Sequence, residues 1–83
     1  MFMEEGYHIT KITKGTYGQI SKVQEELDEF LDAKKQGIVI MEMLELSDIY
    51  GALESVTETY GINMEDLKRM SDVTKRAFKS GKR

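Results

Sequence analysis

Two pairs of acidic residues have a spacing that places both carboxylates of a pair on one side of a helix. Glu26 and Glu29 are three residues apart, and so are Glu45 and Asp48. At about 100° per residue, the two members of such a pair lie about 60° apart around the helix axis, so their carboxylates can share one ligand. Two pairs on adjacent helices would supply four hard oxygen donors, which suit Mg²⁺ or Mn²⁺.

The second pair is the more informative, because it falls within the apolar side of its helix. On a helical wheel, Glu45 and Asp48 lie among apolar residues and not opposite them. A buried carboxylate without a partner is very costly, and two close together cost more. Residues 38–66 contain no Lys, Arg or His. The compensation must therefore come from protons, from a metal, or from a buried salt-bridge network to Lys22 or to the third helix.

The first pair belongs to a dense acidic run on the first helix. Five acids fall within residues 25–32: Glu25, Glu26, Asp28, Glu29 and Asp32. Taken alone, this run favours a solvated acidic face. Glu26 nevertheless lies only about 40° from Phe30, at the margin of the apolar stripe, so it can also face a neighbouring helix.

Basic residues are concentrated near the C-terminus. Seven of the twelve bases lie in the last sixteen residues: Lys68, Arg69, Lys75, Arg76, Lys79, Lys82 and Arg83. Beside a metal site they would suit a phosphorylated substrate, because the metal would neutralise some phosphate oxygens and the bases others. An ordinary solvated face with a basic tail is the alternative. Nucleic-acid binding is disfavoured by the net charge of −3 and the acidic centre of the chain.

Three helices and a short lead must position these side chains. Apolar spacing predicts helices over about residues 19–35, 38–60 and 64–79, after an irregular, extended lead over residues 1–18. We expect His8 to lie on the surface of this lead. The side chains of the first and third helices that we expect to face the core are Ile20, Val23, Leu27, Phe30, Leu31, Leu67, Met70, Val73, Thr74, Ala77 and Phe78.

The second helix is apolar nearly all round in its first half, as expected for a helix that packs on more than one side. The chain has 83 residues and no Cys, so disulfides cannot reinforce it. A lone core of this size seldom supplies more than about 3–5 kcal/mol. We therefore expect one all-α domain over residues 1–83, with two or more chains completing a bundle of four or more helices.

Composition disfavours several other classes of protein. No apolar run approaches the roughly 18–20 residues that span a bilayer. The absence of Cys removes thiolate zinc sites and cysteine nucleophiles, and a single His disfavours multi-histidine metal sites. The acidic start, Met1-Phe2-Met3-Glu4-Glu5, is unlike a signal peptide, so we expect a cytoplasmic protein that does not bind a membrane.

The acidic residues also match a known family motif. Glu25-Glu26-Leu27-Asp28-Glu29 followed by Glu45-Leu46-Ser47-Asp48 resembles the EExxE…ExxD signature of MazG-like proteins, which are all-α nucleoside triphosphate pyrophosphohydrolases related to dimeric dUTPases. The resemblance covers about residues 18–83, and the basic end of the third helix resembles the Lys/Arg-rich end of that helix in the family. The short chain is most similar to small stand-alone members, including those that phages encode.

The resemblance implies that a homodimer or homotetramer hydrolyses a nucleoside triphosphate to the monophosphate and pyrophosphate with Mg²⁺. The metal ligands that it implies are Glu26, Glu29, Glu45 and Asp48. Glu25 would have a supporting catalytic role beside Glu26. Lys75 and Arg76 would bind the triphosphate, and Lys22 is a further phosphate-binding candidate. The metal would lower the pKa of a bound water, and a carboxylate would accept the proton as this water attacks the α-phosphate.

Two other functions stay open from the sequence. The first is a non-catalytic helical interaction module, oligomeric in form, whose acid clusters are structural and form salt bridges. The second is a metal-dependent phosphohydrolase that acts on something other than nucleotides. A panel of nucleoside triphosphates with Mg²⁺, scored for release of pyrophosphate, distinguishes these functions from the one that the resemblance implies.

Overall fold

The structure, a computed structural model, describes residues 8–81, and its regular elements are three helices. Helix α1 is Ile20–Gln36, α2 is Val39–Thr59 and α3 is Met64–Lys79. Each helix end lies within one residue of its predicted position, and no strand occurs between residues 8 and 81, so the all-α class is confirmed. Residues 1–7 of the predicted lead, and Lys82 and Arg83 of the basic tail, lie outside the described residues.

Local sequence explains where α1 ends and where α3 begins. Gly37 adopts a left-handed conformation with a φ of 73°, and its N–H donates to the carbonyls of Ala33 and Lys34. Asn63 begins α3 through a capping box: its side chain accepts the Asp66 N–H, and the Asp66 carboxylate accepts the Asn63 N–H. Only two residues separate α1 from α2, so these helices form a tight hairpin that fixes one acidic pair relative to the other.

Helix α3 is attached to one member of this hairpin. Helices α1 and α2 pack along each other, whereas α3 contacts α2 and makes no close backbone contact with α1. The first half of α3 lies beside α2, where Met64 and Leu67 line a cavity with Tyr50 and Leu53. The radius of gyration is 14.7 Å, which exceeds the roughly 12 Å of a compact chain of this length. A single chain is therefore an open arrangement of helices.

The described part of the lead, residues 8–18, lies against the hairpin. The Gly15 N–H donates to the Glu25 carboxylate at 2.9 Å, and the Gly18 N–H donates to the Ser55 hydroxyl at 3.1 Å. A side chain at position 15 would place its Cβ 2.1 Å from the Ser21 carbonyl oxygen, so this close approach requires glycine. The lead therefore bridges both helices of the hairpin.

Carboxylates and small residues, not large apolar ones, line the interior between α1 and α2. Within residues 8–81, the buried positions are Glu25, Glu26, Glu29, Asp32, Ala33, Glu45, Ala52, Ser55 and Thr57. The prediction of a solvated acidic face on α1 was therefore wrong, because α2 and the lead together cover that face.

The predicted core residues of α1 and α3 lie largely on the outside of a single chain. Those that are exposed are Ile20, Leu27, Leu31, Met70, Val73 and Phe78. The other predicted core residues are half-buried, and no residue of α3 is buried. For the six exposed side chains, the prediction that they face a core was wrong in one chain, because the acidic sides of α1 and α2 meet inside and α3 packs against α2 alone. Within residues 8–81, no helix has the length and apolar character needed to cross a membrane.

Candidate metal centre

Four carboxylates converge where α1 and α2 face each other. One oxygen each of Glu26, Glu29, Glu45 and Asp48 lies within 4.8 Å of the others. The hairpin therefore brings together the two pairs that the sequence suggested as metal donors. Glu26, Glu29 and Glu45 are buried, whereas Asp48 is exposed at the edge of the group. These four residues are termed the acidic cluster.

The acidic cluster carries negative charge that its surroundings do not fully neutralise. Burial raises the pKa of Glu29 to about 8, and repulsion from Glu26 and Glu45 acts in the same direction. Burial also raises the pKa of Glu45, and the nearby Asp48 carboxylate adds to this effect. Glu45 is only 2% exposed, and its Oε1 has no hydrogen-bond partner among the described residues. A bound cation would remove this electrostatic cost.

On one side, the acidic cluster is joined to an ion-pair network. Lys22 Nζ lies 3.1 Å from Glu26 Oε2 and 3.1 Å from Glu25 Oε1. Burial opposes the charge of Lys22, but its bonds to Glu26 and Glu25 outweigh this effect and raise the pKa of the ammonium. Burial likewise opposes ionisation of Glu25, but the Gly15 N–H and Lys22 lower the pKa of that carboxyl. Glu25 therefore holds Lys22 and the lead, and Glu26 links them to the cluster.

These salt bridges account for one part of the acidic run and not for the other. Within residues 8–81, His8 is the ion-pair partner of Glu29 and Glu45. No Lys or Arg in that range forms a salt bridge with either carboxylate. The predicted alternative, a salt-bridge network from Lys22 or α3 to Glu45 and Asp48, is therefore not formed within the described part of one chain. Apart from His8, a metal or protons remain as the means of neutralising the charge.

On the other side, His8 reaches the acidic cluster from the lead. Its Nε2 lies 3.8 Å from Glu29 Oε1 and 4.0 Å from Glu45 Oε2, and its side chain is only 4% exposed. The prediction that His8 lies at the surface was therefore wrong. Sequence reasoning missed it because the lead has no regular periodicity, and its position depends on hydrogen bonds to a residue far along the chain.

Asp32 holds His8 in place and anchors the start of the described lead. Its carboxylate accepts the N–H groups of Ile9 at 2.9 Å and Thr10 at 2.6 Å, and the side-chain amide of Gln36 at 2.8 Å. Burial opposes ionisation, but these bonds and that of the Thr10 hydroxyl hold the pKa of Asp32 well below its usual range. Because the carboxylate is ionised, it can only accept, so His8 Nδ1–H donates to it across 3.4 Å.

Two cavities flank the acidic cluster. One, of about 480 Å³, lies beside Glu26 and Asp48 and is also lined by Lys22. The other, of about 320 Å³, lies between the lead and Glu29 and has His8 in its wall. A ligand can therefore approach the carboxylates from either side. The first cavity combines metal donors with a basic side chain, which is an arrangement that suits a phosphorylated ligand.

The predicted phosphate-binding residues of α3 are not brought to the acidic cluster by a single chain. Lys75 and Arg76 are exposed, and Lys75 Nζ lies 3.4 Å from Asp72 on its own helix. Phe78, which we expected to face the core, is 58% exposed. Because neither base lines a cavity beside the acidic cluster and α3 makes no close backbone contact with α1, a single chain does not place Lys75 and Arg76 at the cluster.

Comparison with known proteins gives no independent identification. No family model, no curated protein and no solved structure matches this chain. A function can therefore be inferred only from the two acidic motifs, the geometry of the acidic cluster and the charges around it.

Proposed function

We propose that this protein is a Mg²⁺-dependent nucleoside triphosphate pyrophosphohydrolase of the MazG-like kind. The observation that supports the proposal most is the convergence of Glu26, Glu29, Glu45 and Asp48 within 4.8 Å. The EExxE…ExxD resemblance assigns these same positions to the metal. Four carboxylate oxygens are ligands of the kind that Mg²⁺ prefers. The buried Glu45 Oε1 has no hydrogen-bond partner within residues 8–81, so this oxygen can bind the ion.

The proposed reaction is direct attack of water on the α-phosphate. Bound to the acidic cluster, Mg²⁺ would supply a water molecule of lowered pKa and a counter-charge for the phosphate. A bond forms between the water oxygen and the α-phosphorus, while the bond from that phosphorus to the leaving pyrophosphate breaks. The proton of the attacking water passes to a carboxylate, for which Glu26 is placed at the edge of the larger cavity.

Lys22 and Glu25 assist this step in different ways. Lys22 lines the same cavity as Glu26, so its ammonium can turn from that carboxylate to a phosphate oxygen of the substrate. Glu25 does not belong to the acidic cluster. Its contact with Lys22 at 3.1 Å makes it a positioning residue, which keeps the ammonium beside the cavity.

The active form that we propose contains two chains or two pairs of chains. Within residues 8–81, a single chain buries only two apolar residues, Ala33 and Ala52. An exposed stripe on α2, spaced four, three and four residues apart, consists of Val39, Met43, Leu46 and Tyr50. By helical geometry this stripe lies about 100–160° around α2 from Glu45, so it faces away from the acidic cluster. A second copy presents the same stripe, so pairing of two α2 helices would cover both and complete a bundle.

Sedimentation equilibrium of Met43→Glu tests this association. Met43 is 59% exposed in one chain, so a charge there costs little in a monomer and much in an apolar interface. We expect the wild type to be associated at micromolar concentration and Met43→Glu to shift towards the monomer. Thr59→Glu, at an exposed polar position of the same helix, is the control. A wild-type chain that is a folded monomer at that concentration would contradict the proposal.

A nucleotide panel with Mg²⁺ tests the activity. We expect pyrophosphate and a monophosphate from at least one canonical or modified nucleoside triphosphate. Activity should be lost in Glu45→Gln and kept in Glu58→Gln, which alters an exposed acid of the same helix. Hydrolysis of phosphate compounds other than nucleotides would indicate a different metal-dependent phosphohydrolase. Because nucleoside triphosphates are substrates inside cells, the proposed activity places the protein in the cytoplasm.

The second candidate function is a non-catalytic helical interaction module. It is favoured by one observation, the pairing of Lys22 with both Glu25 and Glu26, which is what structural acids would show. In that case no triphosphate would be hydrolysed, and loss of Mg²⁺ would leave self-association unchanged. If a folded and associated chain hydrolyses none of the nucleotides in the panel, the result would favour the interaction module.

A further inference from the structure

A second set of metal donors overlaps the acidic cluster on the side of the lead. One ligand atom each of His8, Glu29 and Glu45 lies within 4.8 Å of the other two. His8 Nε2 lies 3.8 Å from Glu29 Oε1 and 4.0 Å from Glu45 Oε2. Both separations are too long for a hydrogen bond. Two ligands bound at about 2.1 Å to a tetrahedral ion lie about 3.4 Å apart, so a shift of about half an ångström would bring His8 Nε2 and either carboxylate to the separation of two ligands of one ion.

The hydrogen bond on the other ring nitrogen orients His8 for a metal. Asp32 is 2% exposed, and its ionised carboxylate accepts the Nδ1–H of His8. In the neutral ring, Nε2 then carries the lone pair, and it is this nitrogen that faces Glu29 and Glu45. Metal-bound histidines commonly have this arrangement, in which a carboxylate accepts from one ring nitrogen while the other binds the ion.

We propose that His8, Glu29 and Glu45 form a second cation position, which takes a divalent transition ion with affinity for imidazole, such as Zn²⁺. Glu45 brings its Oε2 to within 4.0 Å of His8 Nε2, and its other oxygen, the buried Oε1, has no hydrogen-bond partner within residues 8–81, so this one carboxylate has an oxygen to offer at each of the two positions. The cavity of about 320 Å³ beside Glu29 gives access to the position and leaves room for a water ligand. The donor set of one nitrogen and two oxygens suits Zn²⁺, whereas Mg²⁺ prefers oxygen alone.

This position shares two donors with the proposed Mg²⁺ position and has His8 in place of the other two. Glu29 and Glu45 are common to both, so their carboxylates can bridge two ions, whereas Glu26 and Asp48 serve only the first position. Occupation by Zn²⁺ does not depend on hydrolysis of a nucleotide. It would connect the lead to both helices of the hairpin, because each of the three segments contributes one ligand.

The single histidine of the chain makes its imidazole nitrogens a direct probe of this position. Untagged protein, freed of metal with a chelator, is titrated with Zn²⁺ and separately with Mg²⁺ while the imidazole ¹⁵N resonances are followed by NMR. We expect Zn²⁺ to move the Nε2 resonance to that of a metal-bound nitrogen and to leave Nδ1 protonated. We expect Mg²⁺ to cause no such shift. Absence of Zn²⁺ binding, or binding that leaves Nε2 unchanged, would overturn the proposal.

Calorimetry of matched variants separates the two positions. His8→Gln should weaken Zn²⁺ binding by about tenfold or more and leave Mg²⁺ binding unchanged. Asp48→Asn removes a donor of the Mg²⁺ position only, so it should weaken Mg²⁺ binding and spare Zn²⁺ binding. Circular dichroism checks that each variant keeps its helices, and His8→Asn replaces His8→Gln if the latter does not fold. Unchanged Zn²⁺ affinity in a folded His8 variant would refute the assignment.

The results also separate this inference from the proposed activity. If no triphosphate is hydrolysed but Zn²⁺ shifts the His8 Nε2 resonance, the second position is established and the pyrophosphohydrolase proposal is wrong. If the wild type releases pyrophosphate with Mg²⁺ but Zn²⁺ leaves that resonance unchanged, the activity is established and the second position is wrong.

Discussion

Lys22 Nζ lies 3.1 Å from Glu26 Oε2, and this contact joins the acidic cluster to a basic side chain. The same ammonium lies 3.1 Å from Glu25 Oε1, which also accepts the Gly15 N–H and so belongs to the attachment of the lead. Lys22 further lines the cavity beside Asp48. It is therefore placed between the carboxylates of the acidic cluster and the cavity in which we propose that a phosphate binds.

We expect Lys22→Gln to lower kcat/KM for the proposed substrate by about tenfold to a hundredfold, because a charge-assisted contact to phosphate contributes about 1.5–3 kcal/mol. Steady-state kinetics on variants shown to be folded measures the effect. Lys14→Gln is the control, since the Lys14 side chain is 65% exposed and bridges to Glu25 at 3.6 Å without lining the larger cavity. An unchanged kcat/KM for Lys22→Gln would remove Lys22 from the phosphate site.

Glu45→Gln should leave the metal-free protein at least as stable as the wild type and remove most of the stabilisation by Mg²⁺. Burial raises the pKa of Glu45, and its Oε1 has no partner within residues 8–81, so its charge destabilises the metal-free fold. In the wild type, a metal that binds only the folded state should stabilise it by about 2.7 kcal/mol at a hundredfold excess over Kd.

Thermal unfolding of both proteins, with Mg²⁺ and with a chelator, measures these two effects of Glu45→Gln. Glu58→Gln, at an exposed position of the same helix, should behave as the wild type does. If Glu45→Gln unfolds in the absence of metal, Glu45 is a structural salt-bridge partner and its assignment to the metal site is wrong.

The metal-free protein should lose stability as the pH rises towards 8. Burial and the neighbouring Glu26 and Glu45 raise the pKa of Glu29 from 4.5 to about 8, so the folded state keeps a proton that the unfolded state releases. The stabilising contribution of this proton is complete below about pH 4.5 and is lost as the pH rises through about 8. Saturating Mg²⁺ should abolish this dependence, because the metal replaces the proton.

Melting temperatures between about pH 5 and pH 9, with a chelator and then with Mg²⁺, test this dependence. Glu29→Gln cannot titrate, so its metal-free melting temperature should fall less over the same range. Asp28→Asn, which alters the neighbouring acid on α1, should retain the wild-type dependence. A metal-free wild type whose stability rises with pH across this range would show that Glu29 is ionised in the fold.

The sequence could predict the parts of the site that depend on helical periodicity. The spacing within each pair placed Glu26 beside Glu29 and Glu45 beside Asp48, and the short link at Gly37 brought the pairs together. The bond from Lys22 to Glu26 was also predictable, because residues four apart lie on one side of a helix.

Other parts of the site depend on contacts that no local pattern encodes. His8 and Asp32 are 24 residues apart in the sequence, and the lead that carries His8 has no regular period. Periodicity likewise identified the apolar sides of α1 and α3 but not what covers them. Leu31 is exposed because the carboxylate sides fill the interior of the hairpin, and Val73 is exposed because α3 does not pack against α1.

We expect Lys75 and Arg76 to reach the proposed substrate from a second chain, since they line neither cavity beside the acidic cluster of their own chain. A charge-assisted contact to phosphate contributes about 1.5–3 kcal/mol, so Lys75→Ala should lower kcat/KM by about tenfold to a hundredfold. Arg76 points in a different direction around the helix, and we expect a smaller effect from Arg76→Ala. Unchanged kcat/KM in both variants would remove α3 from the phosphate site.

Mixing two impaired variants shows whether Lys75 acts across the proposed dimer. Consider a mixed dimer of one Glu45→Gln chain and one Lys75→Ala chain. If Lys75 serves the partner's site, both changes fall in one site and the other site carries neither change. Half of the dimers are mixed after random exchange of subunits, so activity should recover to about a quarter of that of the wild type. If Lys75 serves the site of its own chain, every site keeps one change and no recovery occurs. Activity measured before and after exchange therefore assigns Lys75 to one site or the other.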